Sequence, residues 1–84
     1  MSKHDRIIQR IMSGKSDANL AFGDLCLLLR YLGFEERVRG SHHVFRKAGV
    51  EEKLNLQESG GKAKPYQVRH IRAMLSRYTL TGDD

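Results

Sequence analysis

At Gly33 the spacing of apolar residues changes from about 3.6 to 2, and that change limits the folds open to this chain. Before it, Phe22, Leu25, Cys26, Leu28, Leu29 and Leu32 form a wide stripe that predicts a helix over residues 22–32. Asp24 in its first turn and Arg30 near its last suit the helix dipole. Gly33 followed by Phe34 is a helix stop with its hydrophobic follower. After Gly33, Phe34, Glu36 and Val38 alternate with Glu35, Arg37 and Arg39, which predicts a first strand. Gly40-Ser41 makes a corner. A second strand over 42–47 sends His42, Val44 and Arg46 to one face and His43, Phe45 and Lys47 to the other. Ala48-Gly49-Val50 turns the chain into a third strand over 52–57, with Leu54 and Leu56 inward and Lys53 and Asn55 outward.

Two further helices flank this unit. Ile7, Ile8, Ile11 and Met12 give a stripe over 3–13 that ends at Ser13-Gly14. Whether this helix packs on its own domain or on a partner is not decided by the sequence, and His4 reads as part of a frayed N-terminus. Ser59 to Lys64 reads as a flexible basic loop. Pro65 opens a last helix to about Tyr78, whose core stripe is Val68, Ile71, Met74, Leu75 and Tyr78. Residues 79–84 read as a short tail. The expected fold is α+β, in the order helix–helix–strand–strand–strand–helix: a three-stranded antiparallel sheet packed on helices. Ignoring the first helix, that is the order of the double-stranded-RNA-binding domain. Eighty-four residues allow one domain, and an apolar fraction of 39% suits a globular one.

Charge narrows the function classes. Residues 37–77 carry ten Lys or Arg against three Glu, a surplus of +7, leaving −2 for the rest of a chain of net charge +5. A one-sided positive surface suits nucleic acid or an acidic protein. The longest apolar run, Leu25 to Leu29, is too short to span a bilayer, and the charged N-terminus does not read as a signal peptide. The single Cys26 lies in an apolar helical pattern and reads as a buried thiol, which points to a cytoplasmic setting.

His42 and His43 are the residues most suited to chemistry, because imidazole exchanges protons near neutral pH. They are neighbours in a strand and therefore cannot share one role. Cleaving RNA requires a base for the 2′-hydroxyl, an acid for the 5′-oxygen and cations for the phosphorane. Arg39, Arg46, Lys62 and Lys64 could hold phosphates, the last two just ahead of a helix N-terminus. Ser41 reads as a turn-former. No zinc-type spacing links His42, His43 or His70 to Cys or carboxylate, so no metal and no cofactor is expected.

The run Arg39-Gly40-Ser41-His42-His43-Val44-Phe45 after a Gly33-Phe34 corner resembles the HicA toxins of bacterial toxin–antitoxin pairs. The resemblance covers residues 22–78. It implies a double-stranded-RNA-binding type of fold and a ribosome-independent mRNA interferase. It also implies that the histidine of the Gly-Ser-His motif is catalytic, which is His42 here with His43 the close rival. Arg39, Ser41, Arg46, Lys62 and Lys64 would then bind RNA. The implied partners are mRNA and a cognate HicB-type antitoxin. The chain departs from the family's commoner form, which has a Pro and a His after the third strand; here Leu54-Asn55-Leu56-Gln57 leads into Ser59-Gly60-Gly61, and the helix over 3–13 is an extension.

Overall fold

A computed structural model describes residues 2–78. Three helices and four strands follow in the order α1 (Lys3–Ser13), α2 (Phe22–Tyr31), β1 (Glu35–Arg39), β2 (His42–Lys47), β3 (Val50–Ser59), β4 (Lys62–Ala63) and α3 (Pro65–Tyr78). The strands form one antiparallel sheet in the order β1-β2-β3-β4. The fold is therefore α+β, as expected, but with four strands rather than three. The expected tail over 79–84 lies outside the described residues.

The helices begin and end where local chemistry satisfies their backbone. Ser2 caps α1 in a capping box: its hydroxyl accepts from the Asp5 N–H at 3.2 Å, and the Asp5 carboxylate accepts from the Ser2 N–H at 3.3 Å. At the end of α2, Gly33 adopts φ 95°, which L side chains avoid. That conformation lets the Phe34 N–H reach the Leu29 carbonyl and the Gly33 N–H reach the Arg30 carbonyl, both at 3.0 Å, a Schellman closure. Phe34 is thereby buried against the helix it follows, and β1 starts one residue later, at Glu35. For α3 the Gln67 side chain accepts from the Lys64 N–H at 3.2 Å, half of a capping box around Pro65. That bond accounts for Gln67 being the one buried polar residue of the core among the described residues.

The extra strand comes from Gly60-Gly61. Both glycines have positive φ, 60° and 80°, and Ser59 pairs with Lys62, which defines a two-residue type I′ hairpin. The segment expected to be a flexible loop is thus a tight turn with a short strand after it. It is also tied to α2, since the Phe22 N–H donates to the Gly61 carbonyl and the Ala63 N–H to the Leu20 carbonyl.

One face of the sheet is apolar. Phe45, Leu54 and Leu56 are fully buried beneath α2 and α3. Helix α1 lies across α2 and α3, burying Ile7 and Ile11, whereas Met12 stays exposed. The first helix therefore packs on its own domain. Each fully buried aliphatic or aromatic side chain contributes about 1.5–3 kcal/mol. His4 is not frayed: its ring stacks on Tyr31 with centroids 3.7 Å apart. Arg72 of α3 pins the α1–α2 connection, donating to both Asp17 carboxylate oxygens at 2.9 and 3.0 Å and to the Ile11 carbonyl at 2.8 Å. None of the described helices is long and apolar enough to cross a membrane.

Candidate active site

The second face of the sheet is uncovered, and cross-strand register fixes its layout. Arg39, His42 and Gln57 are consecutive partners across β1, β2 and β3. Arg37, Val44 and Asn55 form the next row, and Glu35 pairs with Arg46 beyond that. Directly opposed residues send their side chains to the same face. Phe45 and Leu54 point into the core, so these rows point out.

His42 is exposed and its Nδ1 lies 3.2 Å from Asn55 Oδ1. A neutral ring that donates from Nδ1 to this oxygen presents Nε2 as an acceptor on the open face. Beside it, Gln57 donates to the Ser41 hydroxyl at 3.0 Å and accepts from Lys64 Nζ at 3.4 Å. Ser41 and Lys64 therefore belong to the His42 neighbourhood. Lys62 does not: its ammonium donates to Asn19 Oδ1 at 3.3 Å in the α1–α2 connection.

Beyond the His42 row lies a shallow concavity of about 440 Å³, lined by Glu35, Arg37, Arg39, Val44, Arg46 and Lys53. Among the described residues, none of its four cations is in an ion pair. The paired cations Lys3, Arg30, Arg72 and Arg77 are elsewhere. Four like charges with a single carboxylate, Glu35, among them repel one another, and a bound polyanion would relieve that repulsion. Of the expected phosphate-binding residues, Arg39 and Arg46 line this concavity, whereas Arg37, Lys53 and Asn55 are not among the residues the sequence singles out. Their outward alternation is visible in the sequence, but the cross-strand pairing that gathers them is not.

His43 points the other way. Its Nδ1 is 2.7 Å from Glu36 Oε2, its ring meets Phe22 edge-on at 4.9 Å, and it is half-buried. The other Glu36 oxygen accepts from Arg30 at 2.7 and 2.8 Å. Burial raises the Glu36 pKa, but the hydrogen bonds from His43 and Arg30 outweigh it, so the carboxyl sits below its ordinary range. Cys26 adjoins them, with donor atoms of Cys26, Glu36 and His43 all within 4.8 Å. Sequence spacing concealed this grouping because its members come from three elements. Burial, and then the Glu36 charge, push the Cys26 thiol up to about 11, so the thiolate a metal needs is disfavoured. Arg30 already occupies the carboxylate. The group is organised as an ion-pair network and carries no metal assignment. His70 is exposed on α3, apart from both groups.

No family model, characterised protein or solved structure matches this chain.

Proposed function

We propose that this chain is an endoribonuclease of the HicA toxin type, cleaving single-stranded mRNA regions with His42 as general base. The observation that carries the reading is the exposed His42 ring, held by Asn55 beside a concavity lined by four cations that form no ion pair among the described residues. Nε2 would take the proton of a 2′-hydroxyl, the resulting oxygen would attack the adjacent phosphorus, and the P–O5′ bond would break, the leaving 5′-oxygen taking a proton from water to become the 5′-hydroxyl. Because the nucleophile belongs to the substrate, this step needs no metal-activated water. Arg39, directly across the turn from His42, would stabilise charge on the phosphorane. Ser41, Arg46 and Lys64 would hold flanking RNA. The strand and helix order from α2 to α3 supports a double-stranded-RNA-binding type of domain, with β4 as an addition. A HicB-type antitoxin would neutralise the toxin by covering this basic face.

A second reading is favoured by one observation: His42 does not itself line the concavity. On that reading the chain is a non-catalytic RNA-binding module. Purified protein incubated with RNA in EDTA separates the two. Strand scission that is lost in His42→Ala supports the enzyme. Binding without scission by the wild type supports the module.

A further inference from the structure

Glu35 is the one carboxylate in a concavity otherwise lined by Arg37, Arg39, Arg46, Lys53 and the methyls of Val44. It is exposed, it is opposite Arg46 across β1 and β2, and it forms no ion pair among the described residues. A surface that only attracts phosphates gains nothing from a free carboxylate in its lining, because it would repel the same ligand. We propose that Glu35 is a base-reading residue that selects guanine in a bound single-stranded RNA; this rests on the RNA-binding reading above.

The chemistry follows from the donors on base edges. A carboxylate offers two acceptor oxygens side by side. Guanine presents two adjacent donors, N1–H and the N2 amino group, which match both oxygens. Adenine and cytosine place a ring acceptor beside their amino group, and uracil flanks its N3–H with two carbonyls. Each of these sets a lone pair against the second carboxylate oxygen. Val44 supplies the apolar floor for a flat base, and the surrounding guanidiniums can stack on it or hold its phosphate. The volume of about 440 Å³ falls within the roughly 300–1,000 Å³ of small-ligand sites.

The register also places the guanine relative to the cut. Glu35 and Arg39 are four residues apart on β1, about 13 Å at about 3.3 Å per residue, and Arg39 is the partner of His42. That separation corresponds to one or two nucleotides. The selected guanine would therefore stand at a fixed offset from the scissile phosphate and would not supply the attacking 2′-hydroxyl.

The test uses fluorescence anisotropy with the His42→Ala protein, so that binding is read without cleavage. Five-nucleotide RNAs of uridine carry guanosine, inosine, adenosine, cytidine or uridine at the centre. The guanosine oligomer should bind about tenfold tighter than the others, and inosine, which lacks the N2 amino group, should lose most of that gain. Glu35→Gln and Glu35→Ala should abolish the preference while strengthening binding of all-uridine RNA, since a negative charge is removed. Equal binding of all five oligomers, or a preference unchanged in both Glu35 variants, overturns the proposal while leaving the RNA-binding reading intact. If no oligomer binds but an acidic peptide does, the face docks protein, and both readings fail together.

Discussion

His42 and His43 are adjacent in sequence and stand back to back across the sheet, one held by a neutral amide and the other by a carboxylate. His42 meets Asn55 on the open face, and His43 meets Glu36 on the helix side. The two substitutions should therefore separate. His42→Ala should lower the cleavage rate by about 10²–10⁴-fold with little change in melting temperature. His43→Ala should keep cleavage but lower stability by about 1 kcal/mol, since Glu36 loses a charge-assisted partner. For a chain of this size that is roughly 4–8 °C in Tm. Gel-resolved cleavage alongside thermal denaturation of both variants reads the two effects. Loss of cleavage in a fully folded His43→Ala protein would move the catalytic assignment to the Glu36 network.

The products follow from the nucleophile. Attack by the 2′-oxygen leaves a 2′,3′-cyclic phosphate, or the 3′-phosphate from its opening, and a 5′-hydroxyl. Mass spectrometry of fragments made in EDTA should find these ends. Fragments with 5′-phosphate and 3′-hydroxyl would mean that water is the nucleophile, and His42 would then not be acting on the 2′-hydroxyl.

The Asp17–Arg72 pair makes part of the stability depend on pH. The hydrogen bonds from Arg72 hold the Asp17 carboxyl below its ordinary range, more than offsetting the opposing effect of burial. A depressed folded pKa contributes stability that is fully present above the unfolded value of about 3.9 and is lost as pH falls through the lower folded value. Asp17→Asn should therefore melt several degrees below wild type at pH 7, and the gap should close as pH falls below about 4. Comparing the two proteins across pH removes the contributions of Glu36 and Glu52, which also titrate low. A gap that is constant with pH would show that the pair is not the source.

Much of this architecture is legible in the sequence, and the parts that are not share a cause. The apolar stripes of α2 and α3 and the alternation in β2 mark the core correctly, because burial repeats at the period of each element. The outward placement of His42 follows from that same alternation once Phe45 is assigned inward. What escapes is pairing between elements. Asn55 reaches His42 only because β3 registers against β2, and Glu36 reaches Cys26 only because the reversal at Gly33 brings their side chains together. The Gly60-Gly61 turn was visible as two glycines, but glycine pairs serve flexible loops and type I′ hairpins equally. Only the pairing of Ser59 with Lys62 distinguishes them.

That hairpin makes a prediction of its own. Side chains at φ 60° and 80° cost about 1–2 kcal/mol each. Gly60→Ala with Gly61→Ala should therefore lower stability by about 2–4 kcal/mol. Gly60→Asn alone should be nearly neutral, because asparagine accepts the left-handed region and Asn-Gly suits this turn. Denaturant melts of the two proteins give the comparison. Equal stability of both with wild type would return the segment to a flexible loop.

The last prediction separates phosphate-binding cations from structural ones. Each phosphate neutralised on single-stranded RNA adds about 0.7 to the slope of log K against log salt. Arg46 lines the concavity without an ion-pair partner among the described residues, whereas Arg77 is paired with Glu52. Arg46→Ala should lower the slope for an all-uridine oligomer by about 0.7 and weaken binding most at low salt. Arg77→Ala has the same change in net charge, so it controls for long-range attraction and should leave the slope near the wild-type value. The comparison requires titrations of both variants at several salt concentrations. If the two lower the slope equally, the RNA responds to overall charge, and the open face of the sheet holds no particular phosphate.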